Sequence, residues 1–129
     1  MAKKLIVFVC EHGAAKSVIA SAYFNKLAAE KDLELQSVAR GTTPDEELSP
    51  NTIAGLQKDG LTPIESIPQK LRQADVESAQ KVITFCELPE EYQSPVSIEN
   101  WNDIPPVSED YEKARDAIIE HLSRLMNNL

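Results

Sequence analysis

Leu5-Ile6-Val7-Phe8-Val9-Cys10-Glu11-His12-Gly13-Ala14-Ala15-Lys16-Ser17 reads as a buried strand, a tight loop and the start of a helix. The unbroken apolar run from Leu5 to Val9 suits a parallel strand covered on both faces. Gly13, Ala14 and Ala15 keep the loop narrow, so backbone N–H groups can turn inward ahead of the helix. Such a nest is an anion site. A cysteine that opens this loop stands beside the positive end of a helix dipole and the Lys16 charge, surroundings that suit a nucleophilic sulfur. Free cysteines also pack in cores, so the stretch equally admits a structural Cys10.

Downstream, Ile19, Ala22 or Tyr23, and Leu27 recur at helical spacing up to about Lys31. Leu33 to Ala39 reads as a second strand, broken by Arg40-Gly41-Thr42-Thr43-Pro44. Asp45-Glu46-Glu47 reads as a solvated acidic loop without a functional role. Ser49-Pro50 starts a short helix, with Ser49 as cap and Pro50 in the first turn, closed by Gly60. Pro68 to Ala74, continued by Asp75 to Ala79, reads as a further helical turn or two. Lys81 to Cys86 is the second strong strand. Pro89 to Pro106 reads mostly as loop, with room for a short strand between Val96 and Trp101. Ser108 is the expected cap of a final helix whose first turn is acidic and whose apolar face is Tyr111, Ala114, Ile118, Leu122 and Leu125.

Strands alternating with helices predict an α/β fold: a three-layer sandwich with about four parallel strands and helices on both faces. Ligands of such sheets bind outside the C-terminal strand edge. Cys10 and Cys86 end their predicted strands, and Arg40 follows the second, so all three belong on that edge. Asp103 lies in a late loop able to fold over it. The 129 residues form one expected domain, 1–129, with 42% apolar and 26% charged residues. The net charge of −8 disfavours nucleic acid and anionic membranes. Glu11 and His12 interrupt the apolar run after Lys3-Lys4, so no signal peptide is read, and no stretch reaches transmembrane length. A cytoplasmic setting with free thiols is expected. Two cysteines and two histidines, widely scattered, give no zinc spacing, and no cofactor is expected.

The chain resembles the low-molecular-weight protein tyrosine phosphatase superfamily, including its thioredoxin-coupled arsenate reductases. Cys10, five residues, then Lys16-Ser17 stand where that superfamily has Cys, five residues, then Arg-Ser. Ala39-Arg40-Gly41-Thr42 is similar to its Ser-Ala-Gly-Thr segment, Ser49 to Leu61 to its second helix, and Trp101-Asn102-Asp103-Ile104-Pro105 to its Asp-Pro general-acid segment. The resemblance implies that Cys10 attacks phosphorus or arsenic. It implies that backbone N–H groups of Glu11, His12, Gly13, Ala14, Ala15 and Lys16 hold the oxygens, that Ser17 supports the thiolate, and that Asp103 is the general acid. In a reductase it implies that Cys86 is the second thiol, with thioredoxin or a small thiol as the partner that restores it. The substrate would be phosphate, arsenate or a phosphorylated molecule.

The departures are Lys16 for arginine, Glu11 beside the anion loop, His12-Gly13 for Gly-Asn, Ala15 where many members have another cysteine, and no third reductase cysteine near Gln93-Ser94-Pro95. Lysine offers one point charge where arginine grips two oxygens. Arg40 reads either as a replacement for that lost guanidinium or as a solvent-exposed arginine, and His12 either as an oxyanion or Glu11 contact or as a loop histidine without a role. His121 reads as a surface residue, and Trp101 as core or site wall. Two function classes follow. One is a cysteine-dependent oxyanion enzyme, phosphatase or arsenate reductase. The other is a weakly catalytic module that binds phosphate or senses redox state through its two thiols, for which Lys16 and Glu11 speak.

Overall fold

A computed structural model describes residues 4–128; residues 1–3 and 129 of the expected 1–129 domain lie outside that range. Strand β1 (Lys4–Cys10) forms as its apolar run dictates, followed by α1 (Lys16–Glu30), β2 (Leu35–Gly41), α2 (Pro50–Lys58), α3 (Gln73–Ser78), β3 (Ala79–Thr84), β4 (Ile98–Asn100) and α4 (Tyr111–Asn127). The four strands form one sheet in the order β2-β1-β3-β4, and every neighbouring pair is parallel. The expected α/β architecture holds. The chain winds one way from β1 to β2 and the other way to β3 and β4. The C-terminal end of β1 is therefore the switch point where such sheets open a crevice.

The period of two along β1 divides the core. Ile6, Phe8 and Cys10 pack with Phe24 of α1 and Ile118 and Leu122 of α4. Val7 and Val9 face the other side, against Leu71, Val76 of α3 and Val82 of β3. Phe8, Phe24, Phe85 and Trp101 cluster on the first face with ring centroids 5.8–6.5 Å apart. Trp101 is core.

Several boundaries differ from the sequence reading, each for a local reason. Strand β2 starts at Leu35 rather than Leu33. Asp32 adopts φ +55 and the Leu33 N–H closes on the Ala28 carbonyl, so the chain is still turning there. Strand β3 ends at Thr84, leaving Cys86 just beyond it. Asp110, not Ser108, caps α4, its carboxylate accepting the Lys113 N–H at 3.1 Å. Ser49 and Pro50 start α2 as read, Ser49 accepting from the Thr52 N–H.

One polar knot ties three helices. The Asp59 carboxylate after α2 accepts from Tyr23 of α1, from Tyr111 of α4 at 3.0 Å and from Arg115 of α4 at 3.1 Å. Burial alone would raise its pKa, but the donors from Tyr23, Tyr111 and Arg115 together hold it below the usual carboxylate range. Asp59→Ala strands two hydroxyls and a guanidinium, and is expected to cost about 2–3 kcal/mol in chemical denaturation. Because the folded pKa is depressed, this stabilisation is present above the ordinary aspartate pKa and lost as pH falls through the lowered value. The difference between wild type and variant should therefore shrink in acid.

Candidate functional site

Residues 11–15 leave β1 at the switch point and lead into α1. Their carbonyls are held from outside by the segment after β2. The N–H groups of Thr42, Thr43, Asp45 and Ser49 donate to the carbonyls of Cys10, Glu11, His12 and Ala14 at 3.1, 2.7, 3.0 and 3.0 Å. Among the described residues, the N–H groups of Glu11, His12, Ala14 and Ala15 have no protein acceptor. This is the electrostatic form of an oxyanion cradle at a helix N-terminus. Cys10 is 8% exposed. Its Sγ accepts the Gly13 N–H at 3.1 Å and lies 3.0 Å from the hydroxyl of the fully buried Ser17. Two donor-capable groups thus face one sulfur, the arrangement a thiolate needs.

Glycine is required at two facing positions. Gly13 has φ +61, and a Cβ there would meet the Gly41 nitrogen at 2.9 Å. A Cβ on Gly41 would meet the Gly13 nitrogen at 2.7 Å. Gly41 cannot retreat, because its N–H donates to Gln69 and its carbonyl accepts from Leu71. Gly41→Ala should therefore push the loop off the sulfur. The expected result is a loss of oxyanion affinity and turnover of about a hundredfold or more, read by phosphate titration and kinetics, while the far-UV circular dichroism is retained.

A cavity of about 280 Å³ opens above the cradle, lined by Cys10, Glu11, His12, Lys16, Asp45 and Cys86 together with Ala14, Ala15, Ser49 and Phe85. The Phe85 N–H donates to the Val9 carbonyl, so Phe85-Cys86 runs beside Val9-Cys10 and both thiols reach one space. Both are free thiols. Burial, then the nearby charges of Cys10 and Glu11, push the Cys86 thiol up to about 11. Lys16 makes no ion pair among the described residues, so its charge remains available to an anion. Two acids share the rim. The His12 ring sits between them, Nδ1 3.1 Å from Asp45 and Nε2 3.7 Å from Glu11.

Two expected site residues are elsewhere. Arg40 pairs in register with Val9, so its side chain takes the Val7/Val9 face of the sheet, away from Cys10. There it is 12% exposed and donates to Glu65 at 2.6 Å and Asp75 at 3.3 Å. The lost arginine fork is not restored from this position. Asp103 does not line the thiol cavity. Its carboxylate lies 2.8 Å from His121 Nε2, and that imidazole stacks on Trp101 at 4.7 Å. His121 is accordingly a packed residue rather than a free surface one. Its hydrogen bond holds Asp103 below the usual carboxylate range, the wrong direction for a proton donor near neutral pH. Asp45, Ser49 and Phe85 line the cavity unforeseen. The signal for Asp45 was its place after the second strand, on the ligand-binding edge.

Among the described residues, no cluster of three or more His, Cys, Asp or Glu could hold a metal ion, and no helix is long and apolar enough to cross a membrane. The sequence model of one family, described as low molecular weight phosphotyrosine protein phosphatase, matches residues 5–104. No curated protein gives a significant match. Among solved structures, YfkJ from Bacillus subtilis is similar over 99% of this chain and 95% of its own, at 17% identity and a TM-score of 0.83. An arsenate reductase from Archaeoglobus fulgidus is similar over 95% of this chain and 98% of its own, at 24% identity and a TM-score of 0.71. A thioredoxin-dependent arsenate reductase from Corynebacterium glutamicum is similar over 98% of this chain and 64% of its own, at 22% identity and a TM-score of 0.68. At these identities the likeness is one of fold.

Proposed function

The chain belongs to the low molecular weight phosphotyrosine protein phosphatase family, and on that premise we propose that it is a cysteine-dependent oxyanion enzyme whose best-suited reaction is arsenate reduction. Its structural neighbours are phosphatases and arsenate reductases. The observation that carries the choice between them is the content of the cavity: a second thiol, Cys86, stands beside Cys10, and Asp103 does not.

In this reading, arsenate sits in the cradle of free N–H groups with Lys16 at its side. The Cys10 sulfur forms a bond to arsenic as one oxygen leaves as water. The Cys86 sulfur then attacks Cys10 Sγ, the sulfur–arsenic bond breaks, and its electron pair stays with arsenic. Arsenic(V) leaves as arsenite, the two thiols become the Cys10–Cys86 disulfide, and an external dithiol or small thiol restores them. Thioredoxin is the reductant of the Corynebacterium neighbour, and a protein of that kind is the partner proposed here. The same cradle serves phosphate esters less well, because Lys16 cannot supply a two-point grip.

The test is a paired assay on purified protein: arsenate-dependent oxidation of a supplied dithiol against release of phosphate from an aryl phosphate. Arsenite formation well above phosphate release supports the reductase. Phosphate release with no arsenite returns the protein to the phosphatase side of its family.

A further inference from the structure

On the arsenate reading, Cys10 can displace an oxygen from arsenic only if that oxygen is protonated as it goes, since hydroxide is a poor leaving group. Asp103, the general acid that the sequence resemblance implies, lies against His121 and does not line the cavity. From the groups that do line it, we infer that His12 is the acid–base residue of this site and Asp45 the residue that positions it.

Imidazole is the side chain suited to giving and taking a proton near neutral pH. The His12 ring has a carboxylate close to one nitrogen only. Asp45 meets the residue twice, its N–H donating to the His12 carbonyl at 3.0 Å and its carboxylate lying at ion-pair distance, 3.1 Å, from Nδ1. Asp45 and His12 are both more than half exposed, and their contact is an ion-pair distance that substrate binding would tighten into the carboxylate–imidazole–nucleophile arrangement, with Nε2 left for the reacting atoms. At 3.7 Å, Glu11 is too far from Nε2 to hydrogen-bond it. Nε2 thus has no hydrogen-bond partner among the described residues, and His12 lines the cavity that also holds Cys10, Lys16 and Cys86.

The protons balance over the cycle. His12 Nε2–H gives its proton to the oxygen that leaves arsenic as water, while Cys10 takes its place. The neutral imidazole then accepts the Cys86 thiol proton, which frees that sulfur to attack Cys10 and regenerates the imidazolium. Cys86 needs this help because burial has pushed its thiol up to about 11.

The experiment is single-turnover arsenite formation across pH for wild type, His12→Gln, Asp45→Asn, Asp103→Asn and Cys10→Ser, with arsenate affinity measured separately. His12→Gln should slow the wild-type rate about a hundredfold and flatten its pH dependence, with arsenate affinity within about threefold of wild type. Asp45→Asn should fall between wild type and His12→Gln. An unchanged rate in His12→Gln overturns the inference. So does a slow rate matched by an equal loss of affinity, which would make His12 an oxyanion ligand, and so does loss of the pH dependence in Asp103→Asn instead. These results leave the reductase reading standing if wild type makes arsenite and Cys10→Ser does not. No arsenite from wild type, or arsenite from Cys10→Ser, removes that reading and this inference with it.

Discussion

Cys10→Ser is expected to abolish turnover of any oxyanion substrate, a loss of at least about ten-thousandfold in rate. The reason is local. One sulfur sits 3.1 Å from the Gly13 N–H and 3.0 Å from the Ser17 hydroxyl, at the floor of a cavity whose other nucleophile is the high-pKa Cys86. A serine oxygen in that place is a weak nucleophile, and no base touches it in the structure. Binding should survive, because the cradle is made of backbone N–H groups braced by Thr42, Thr43, Asp45 and Ser49. Phosphate or arsenate titration by calorimetry should give affinities within a few-fold of wild type beside a dead enzyme. That split between retained binding and lost rate separates a nucleophile from a packing cysteine, whose loss would show mainly as reduced stability.

Cys86→Ser should have an equally large effect on one reaction and little on the other. Arsenite release should stop, because the sulfur that breaks the Cys10–arsenic bond is gone. Aryl phosphate hydrolysis, however slow, should stay within about threefold of wild type, since that reaction asks nothing of a second thiol. In the resting wild-type protein, alkylation of Cys86 by a small electrophile should quicken as pH rises toward about 11, for burial and the charges of Cys10 and Glu11 disfavour its thiolate below that value. The rate of labelling of the Cys86 peptide against pH, followed by mass spectrometry, reads this directly. Equal losses in both reactions would instead assign Cys86 a role in holding the cavity's shape.

What the sequence made legible followed from strong local patterns. The apolar run before Cys10, the Gly13-Ala14-Ala15 loop and the Lys16-Ser17 helix start specified the strand, the narrow loop and the place of the Cys10 thiol without tertiary information. Cys86 was legible for the same reason, as the end of a second apolar strand. Arg40 was not, because its direction depends on strand parity. Cys10 pairs with Gly41 and Val9 with Arg40, so the residue that faces the loop is the glycine, and the arginine points through the sheet to Asp75. A shift of one residue in register would have reversed this. Asp103 lies in a loop with no period to orient it, and its partner His121 arrives from α4. His12 and Asp45 meet only because the loop after β2 folds back along the cradle, a contact that no spacing in the chain announces.

The central claim is that two thiols in one cavity act in sequence on one oxyanion, and intact-mass spectrometry after a single arsenate turnover tests it most directly. Reduced protein is mixed with one equivalent of arsenate in the absence of external thiol, quenched in acid, and mapped by proteolysis. The account predicts a chain lighter by two hydrogens, a Cys10–Cys86 disulfide peptide, and arsenite in equal amount. A chain that emerges with both thiols free and arsenate unchanged would contradict it.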